Sequence, residues 1–463
     1  MVYSSLLFIY VFFPLSLAIY FITPKKFKDI SLFLLSMIFC GLFSLKFLFF
    51  MMIYIVVNYT SARLTYRLKW KEQRYRKYRI IPFSAGILFN LISLFAFRTD
   101  IFSWILRPFS FPDGFFPVGI SLFTLSATGY LIDVYKGRIR AEINFIRFGL
   151  FIMMFPRLLM CSAVNYDNFL KIWRKRKIRL NELGTGMEIF VKGLAKKVII
   201  ADTLFMLYSA IKRIETGNLP VLTAWLGATA YVLCLYFTLS GVSEMGIGIS
   251  YCFGYGFPQS FNYPLFSSRI RHFSAKWHIQ VVQWFRKYAL HPLRSVINAN
   301  YINGFISVCL WILMGFWYRL SFNGIICGFI IGIGIIIESK LKNIRMLKST
   351  GIIYTFVVIT ISMVFISCES ISESFRYIWA MIGGNRIIAD SLTAYLCKSY
   401  IIVLIVAVYA STDLFRNTIN RINRTPFRFV MLIISPVLTV ILFAVCTAMI
   451  SYTGSSENIL IQL

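Results

Sequence analysis

The sequence predicts an all-α, polytopic membrane protein, and three observations carry that expectation. Hydrophobic residues fill 58% of the 463 positions, and the mean hydropathy is +0.73. Charged residues make up only 14%, against about 25% in soluble domains. The ionisable side chains are unbalanced, 48 Lys and Arg against 18 Asp and Glu, for a formal net charge of +30. So apolar a chain excludes disorder and an ordinary water-soluble enzyme, whose polar shell must cover its core. It also removes nucleic acid as the reason for the cations, because positive-inside topology already requires them in membrane loops. Nine cysteines lie scattered, mostly inside apolar runs, without Cys-x-x-Cys pairs or metal-ligand spacing. They read as small core residues, so neither metal nor disulfides are expected.

A helix needs about 20 apolar residues to cross the hydrocarbon. In chain order the candidates are roughly 3–22, 30–45, 47–61, 81–97, 117–134, 146–163, 186–210, 221–240, 301–318, 322–338, 351–368, 396–411 and 429–450. Leu6 to Tyr20 follows no basic n-region and precedes no small-residue cleavage site, so it reads as a retained span. Basic clusters lie between many spans: Lys25 to Lys28, Arg63 to Arg79, Lys171 to Arg179, Lys340 to Lys348 and Arg416 to Arg428. Placing these in the cytoplasm puts the N-terminus, the 98–115 and 370–395 connections and the C-terminal tail outside.

Two segments break this pattern. The stretch 146–163 has cations before it (Lys136, Arg138, Arg140) and after it, which a single crossing cannot keep on one side. It also holds Arg147, Pro156 and Arg157, each expensive or helix-breaking in lipid. A re-entrant or broken helix buried in protein is expected there. Residues 255–294 open on Phe257-Pro258-Gln259-Ser260-Phe261-Asn262-Tyr263-Pro264 and then mix cations with Trp277, Trp284, Phe285 and Tyr288 at helical spacing. An interfacial amphipathic helix with snorkelling cations is one reading. The other adds a buried histidine to a membrane cavity, because His272, His278 and His291 all fall in this segment. The whole chain, 1–463, reads as one integral-membrane domain without internal repeats.

An ordered set of motifs then resembles the membrane-bound O-acyltransferases, within them the bacterial alginate O-acetylase group. The set runs through Met1-Val2-Tyr3-Ser4-Ser5, Phe116-Pro117-Val118-Gly119-Ile120-Ser121, Tyr130-Leu131-Ile132-Asp133-Val134-Tyr135-Lys136-Gly137, Gly193-Leu194-Ala195-Lys196-Lys197, Phe261-Asn262-Tyr263-Pro264, Lys276-Trp277-His278-Ile279 and Met314-Gly315-Phe316-Trp317. The motif-bearing core is about 117–340. The resemblance implies a bundle of about 11–13 transmembrane, re-entrant and interfacial helices around a central tunnel. It implies transfer of an acyl group from acetyl-CoA or another cytoplasmic thioester, a co-substrate and not a bound cofactor. The acceptor would be a hydroxyl of an exported cell-envelope polysaccharide, reached through a periplasmic or extracellular partner. The setting would be a multi-pass protein of the bacterial plasma membrane, with lipid and no nucleic acid as surroundings.

The family's first histidine maps onto His278 and its second, in a Trp-His-Gly block, onto Tyr318 within Trp317-Tyr318-Arg319. Histidine takes a hydroxyl proton at neutral pH, whereas tyrosine is protonated there and donates. His278 and Tyr318 are therefore the candidate catalytic pair, with Trp277, Trp317, Arg319 and Asn323 as candidate substrate contacts. Asn323 would orient a carbonyl or cap the next helix. Arg157 and Arg319 suit the phosphates of coenzyme A, although the basic loops serve them more cheaply; Cys161 has the chemistry of a replacement acyl carrier but reads as an inert buried thiol. Other positions have drifted too: the family's Gly-Pro turn reads Met160-Cys161-Ser162-Ala163, and two acidic positions read Thr238 and Lys287, while Glu244 keeps its character. The alternative functions are a non-catalytic scaffold that keeps the fold and a glycolipid transporter.

Overall fold

With no water to satisfy peptide groups in lipid, apolar runs close their hydrogen bonds internally as helices. The computed structural model describes residues 3–69, 75, 77–98, 119–158, 160, 164–176, 179–294, 302–340, 348–414, 417–418, 421 and 428–453, and its regular structure is entirely helical. Among these residues seven helices are long and apolar enough to cross a membrane, with three shorter apolar helices, Phe8–Ile22, Ile120–Tyr135 and Gly304–Tyr318, beside them. The protein is a multi-pass membrane protein. The motifs at Met1-Val2, Phe116 to Val118 and Cys161 to Ala163 lie outside the described residues, as does most of the 98–115 connection.

Two compact units emerge. The first comprises Met1–Phe190 and Val242–Pro258. It begins with α1 (Phe8–Ile22), α2 (Lys28–Phe43), α3 (Leu45–Lys69), α4 (Ile80–Arg98) and α5 (Ile120–Tyr135). Aromatic rings fill its core: Phe12, Phe39 and Phe155 meet with centroids 5.3 to 5.6 Å apart. Asn58 of α3 and Asn90 of α4 exchange reciprocal amide bonds of 2.9 Å in the interior.

The break expected in 146–163 is real. Asn144 caps the backbone N–H of Arg147 and starts α6 (Phe145–Met153); Met154 leaves the helix with φ −55° and ψ 116°, and α7 (Phe155–Leu158) resumes with Pro156 inside it. Breaking a helix frees carbonyls, and Arg157 collects them. Its guanidinium donates to Phe151 O, to Ser126 Oγ at 2.8 Å and to Val164 O at 3.1 Å. That is a structural use of the cation, so the coenzyme-phosphate expectation for Arg157 gives way to a latch on the broken segment. Two amphipathic helices follow, α8 (Tyr166–Arg174) and α9 (Leu180–Ala195).

The second unit comprises Val191–Gly241 and Gln259–Ile459. The expected span 186–210 is α9, a π-turn over Lys196–Ala201 and α10 (Asp202–Lys212), and the turn places the Lys197 ammonium against the Asp202 carboxylate. The expected span 221–240 extends to 32 residues as α11 (Val221–Cys252), because Gly241 and Ser243 are compatible with helix. Then come α12 (Ile270–Lys276), α13 (Ile279–Phe285), α14 (Ile302–Tyr318), α15 (Phe322–Lys340), α16 (Lys348–Ser367), α17 (Ile371–Met381), α18 (Ser391–Ala410) and α19 (Arg428–Thr453). Helices α14 and α15 pack backbone to backbone through glycines: a Cβ on Gly332 would sit 2.7 Å from Val308 Cα, and one on Gly315 would overlap Gly324 O.

Candidate functional site

The interfacial helix expected in 255–294 is not one continuous helix and does not lie open to headgroups. It breaks at His278, which adopts φ 46° and ψ 49° between α12 and α13. Trp277, Trp284, Phe285 and Tyr288 are buried in protein at 0 to 8% exposure, so the aromatic spacing marked a core. The left-handed region is tolerated by histidine better than by most residues but still costs about 1–3 kcal/mol. It persists because both flanks are pinned. On one side, Lys276 O accepts from Asn262 N at 3.1 Å, Ser260 O from Ile279 N at 2.8 Å and Gln259 O from Gln280 Nε2 at 2.7 Å.

On the other side the α14–α15 hairpin holds the segment. The Glu338 carboxylate accepts the backbone N–H groups of Ile270 at 2.6 Å and Arg271 at 3.2 Å, at the start of α12. Trp311 Nε1 donates to Ser274 Oγ at 2.9 Å, and Trp277 Nε1 donates to Tyr318 Oη at 2.8 Å. The chain thus brings Tyr318 to His278. Their rings meet at 5.7 Å and 80°, and the imidazole also meets Phe261 at 4.9 Å and Trp317 at 5.6 Å.

His278 is 1% exposed, and its Nδ1 is buried without a hydrogen-bond partner among the described residues. Burial pushes the imidazole down to about 3, so it is neutral at physiological pH and able to accept a proton. His272 and His291 are exposed and stand apart from this arrangement. Trp277 is fully buried with its indole N–H on Tyr318, and Trp317 is half-buried beside His278.

Arg319 and Asn323 take a different role from the one expected. Arg319 donates to Ile366 O at 2.8 Å and to Cys368 O, and Asn323 Nδ2 donates to Cys368 O at 3.0 Å. Both side chains satisfy carbonyls at the C-terminal end of α16, where four C=O groups lack intrahelical partners. Neither the carbonyl-holding nor the next-helix-capping expectation matches these contacts. Cys161 lies outside the described residues. Among the described residues no group of His, Cys, Asp or Glu has the arrangement to hold a metal. Sequence reasoning missed Glu338 and Ser274, although Glu338 was the one acidic residue of the run 322–338.

No family model matches the chain. It is similar to the probable alginate O-acetylase AlgI of Pseudomonas aeruginosa, 29% identical over 400 residues that cover 82% of this chain and 75% of that protein. It is similar to a peptidoglycan O-acetyltransferase of Helicobacter pylori, 25% identical with 84% and 81% covered. A shorter likeness, 27% identical over 46% of the chain and 56% of the relative, joins it to the teichoic acid D-alanyltransferase of Bacillus subtilis.

Proposed function

We propose, from the premise that the chain is a homologue of the membrane-bound alginate O-acetylases and peptidoglycan O-acetyltransferases, that it is an O-acyltransferase acting on an exported cell-envelope polysaccharide. The donor is an acyl thioester such as acetyl-CoA presented from the cytoplasm, and the acceptor hydroxyl arrives from the opposite side through a partner protein. The observation that carries the reading is the His278 Nδ1, a buried nitrogen without a hydrogen-bond partner among the described residues, set beside a phenol.

The chemistry follows from those two groups. The neutral imidazole takes the acceptor's proton as its oxygen attacks the thioester carbonyl, and the Tyr318 O–H donates a hydrogen bond to the oxyanion that forms. The C–S bond then breaks, and the imidazolium returns its proton to the thiolate, leaving an ester and a free thiol. An imidazolium is expensive in so dry a site, and the oxyanion formed in the same step supplies its counter-charge. An entering hydroxyl also gives His278 the partner it lacks.

A second reading, a non-catalytic membrane scaffold, is favoured by Tyr318 standing where the resemblance expects histidine and by Arg319 being tied to α16. One assay separates the two. Purified protein in nanodiscs is given labelled acetyl-CoA and cell-envelope glycan, and label is followed on glycan, partner and the protein itself. Transfer by wild type and its loss in His278→Ala support the enzyme; equal background in both overturns it.

A further inference from the structure

We propose that Trp277 is the positioning residue of Tyr318: its indole N–H holds the phenol oxygen beside His278 and makes Tyr318 the hydrogen-bond donor of the site. The inference rests on the acyl-transfer reading and adds a residue and a division of labour to it. An indole N–H is donor only and does not titrate, so it fills an acceptor position on the phenol oxygen and nothing else. The bond is 2.8 Å long, and its two residues are 0% and 6% exposed, so water does not compete for it.

The indole has little freedom of its own. It stacks on Phe273 at 5.2 Å and 25° and takes Phe261 edge-on at 5.3 Å, with Tyr236 at 6.2 Å. Trp277 is extended and His278 left-handed, and this change of backbone lets two consecutive side chains reach the same tyrosine. With its C–O axis fixed and an acceptor position filled, the phenol acts toward a third group through its own hydrogen. Tyr318 therefore takes the carbonyl oxygen, and His278 alone takes the proton. With its indole N–H committed to the phenol oxygen, Trp277 acts through Tyr318.

The test uses full-length protein in nanodiscs and two readouts. Ultraviolet resonance Raman difference spectra between wild type and Tyr318→Phe report one indole N–H band moving from its bonded to its unbonded position; no movement overturns the contact. In the labelled acetyl-CoA assay, Trp277→Phe and Tyr318→Phe each lower transfer about tenfold, the worth of one hydrogen bond. The double variant falls no lower than Tyr318→Phe alone. Losses that multiply, or an unaffected Trp277→Phe in an active background, overturn the positioning role. Wild type no better than His278→Ala is a different failure, that of acyl transfer itself, and the positioning role falls with it while the Raman contact stands.

Discussion

His278 meets Tyr318 edge to face with ring centroids 5.7 Å apart, inside the packed interior of its unit. Forty residues separate them in sequence, and the α14–α15 hairpin closes that distance. The pairing sets a neutral, unsolvated imidazole next to a phenol.

That environment predicts a pH dependence of stability. The folded imidazole is pushed down to about 3, below the unfolded value of about 6.5. Between those values the unfolded chain binds a proton that the folded chain refuses, so stability falls as pH falls below about 6.5. Thermal unfolding midpoints at pH 7.5 and pH 5 are expected to drop more for wild type than for His278→Gln. Equal drops would show that the ring is solvated.

Arg319 and Asn323 are expected to matter for stability and not for donor recognition. Arg319→Ala strips Ile366 O and Cys368 O of a charged donor, a loss of about 1.5–3 kcal/mol, and Asn323→Ala costs about 1 kcal/mol. Unfolding midpoints fall in that order. A rise in donor KM of tenfold or more without loss of stability would return both residues to the substrate.

Arg157 carries a third expectation. Arg157→Met keeps the apolar bulk over the Phe151 ring but leaves buried carbonyls of Phe151 and Val164 unpaired, at about 1–3 kcal/mol each. The variant is expected to accumulate poorly and to run broadly in size-exclusion chromatography. Arg157→Lys should rescue only partly, since a compact ammonium does not reproduce the guanidinium's fork to three acceptors. A monodisperse, wild-type-like Arg157→Met would remove the latch.

What was legible in the sequence followed local rules. Apolar length located most of the helices, and the run containing Arg147, Pro156 and Arg157 announced its own break because charge and proline are costly in lipid. Tyr318 was picked out only through motif resemblance, and Trp277 through resemblance and aromatic spacing together. Aromatic spacing over 277–288 misled, since a ring facing headgroups and a ring facing a core leave the same pattern, and only the left-handed His278 separates them. Arg319 misled for a related reason. A cation in an apolar hairpin needs acceptors, but sequence does not tell a substrate carbonyl from the end of α16, 47 residues away. Glu338 went unnoticed because its partners are backbone N–H groups, which carry no residue identity.

Glu338 supplies the last prediction. Helix α12 has seven residues, too few to be stable alone, and Arg269 at its N-cap makes no side-chain cap bond. The Glu338 carboxylate takes over that task from another helix, accepting at Ile270 and Arg271, where the helix dipole also favours negative charge. Its effect reaches the site through the chain: α12 sets Trp277, Trp277 holds Tyr318, and the backbone turn that follows places His278. Glu338→Gln keeps one acceptor oxygen and the shape but loses the charge, whereas Glu338→Ala loses both acceptors. A graded loss is expected, about 1 kcal/mol for Gln and about 2 kcal/mol for Ala, measured as denaturant midpoints in detergent. Acyl transfer, where wild type shows it, should fall in the same order, although Glu338 touches neither His278 nor Tyr318 in the contacts described. Variants that lose stability but keep full transfer would mean that α12 is positioned without its borrowed cap.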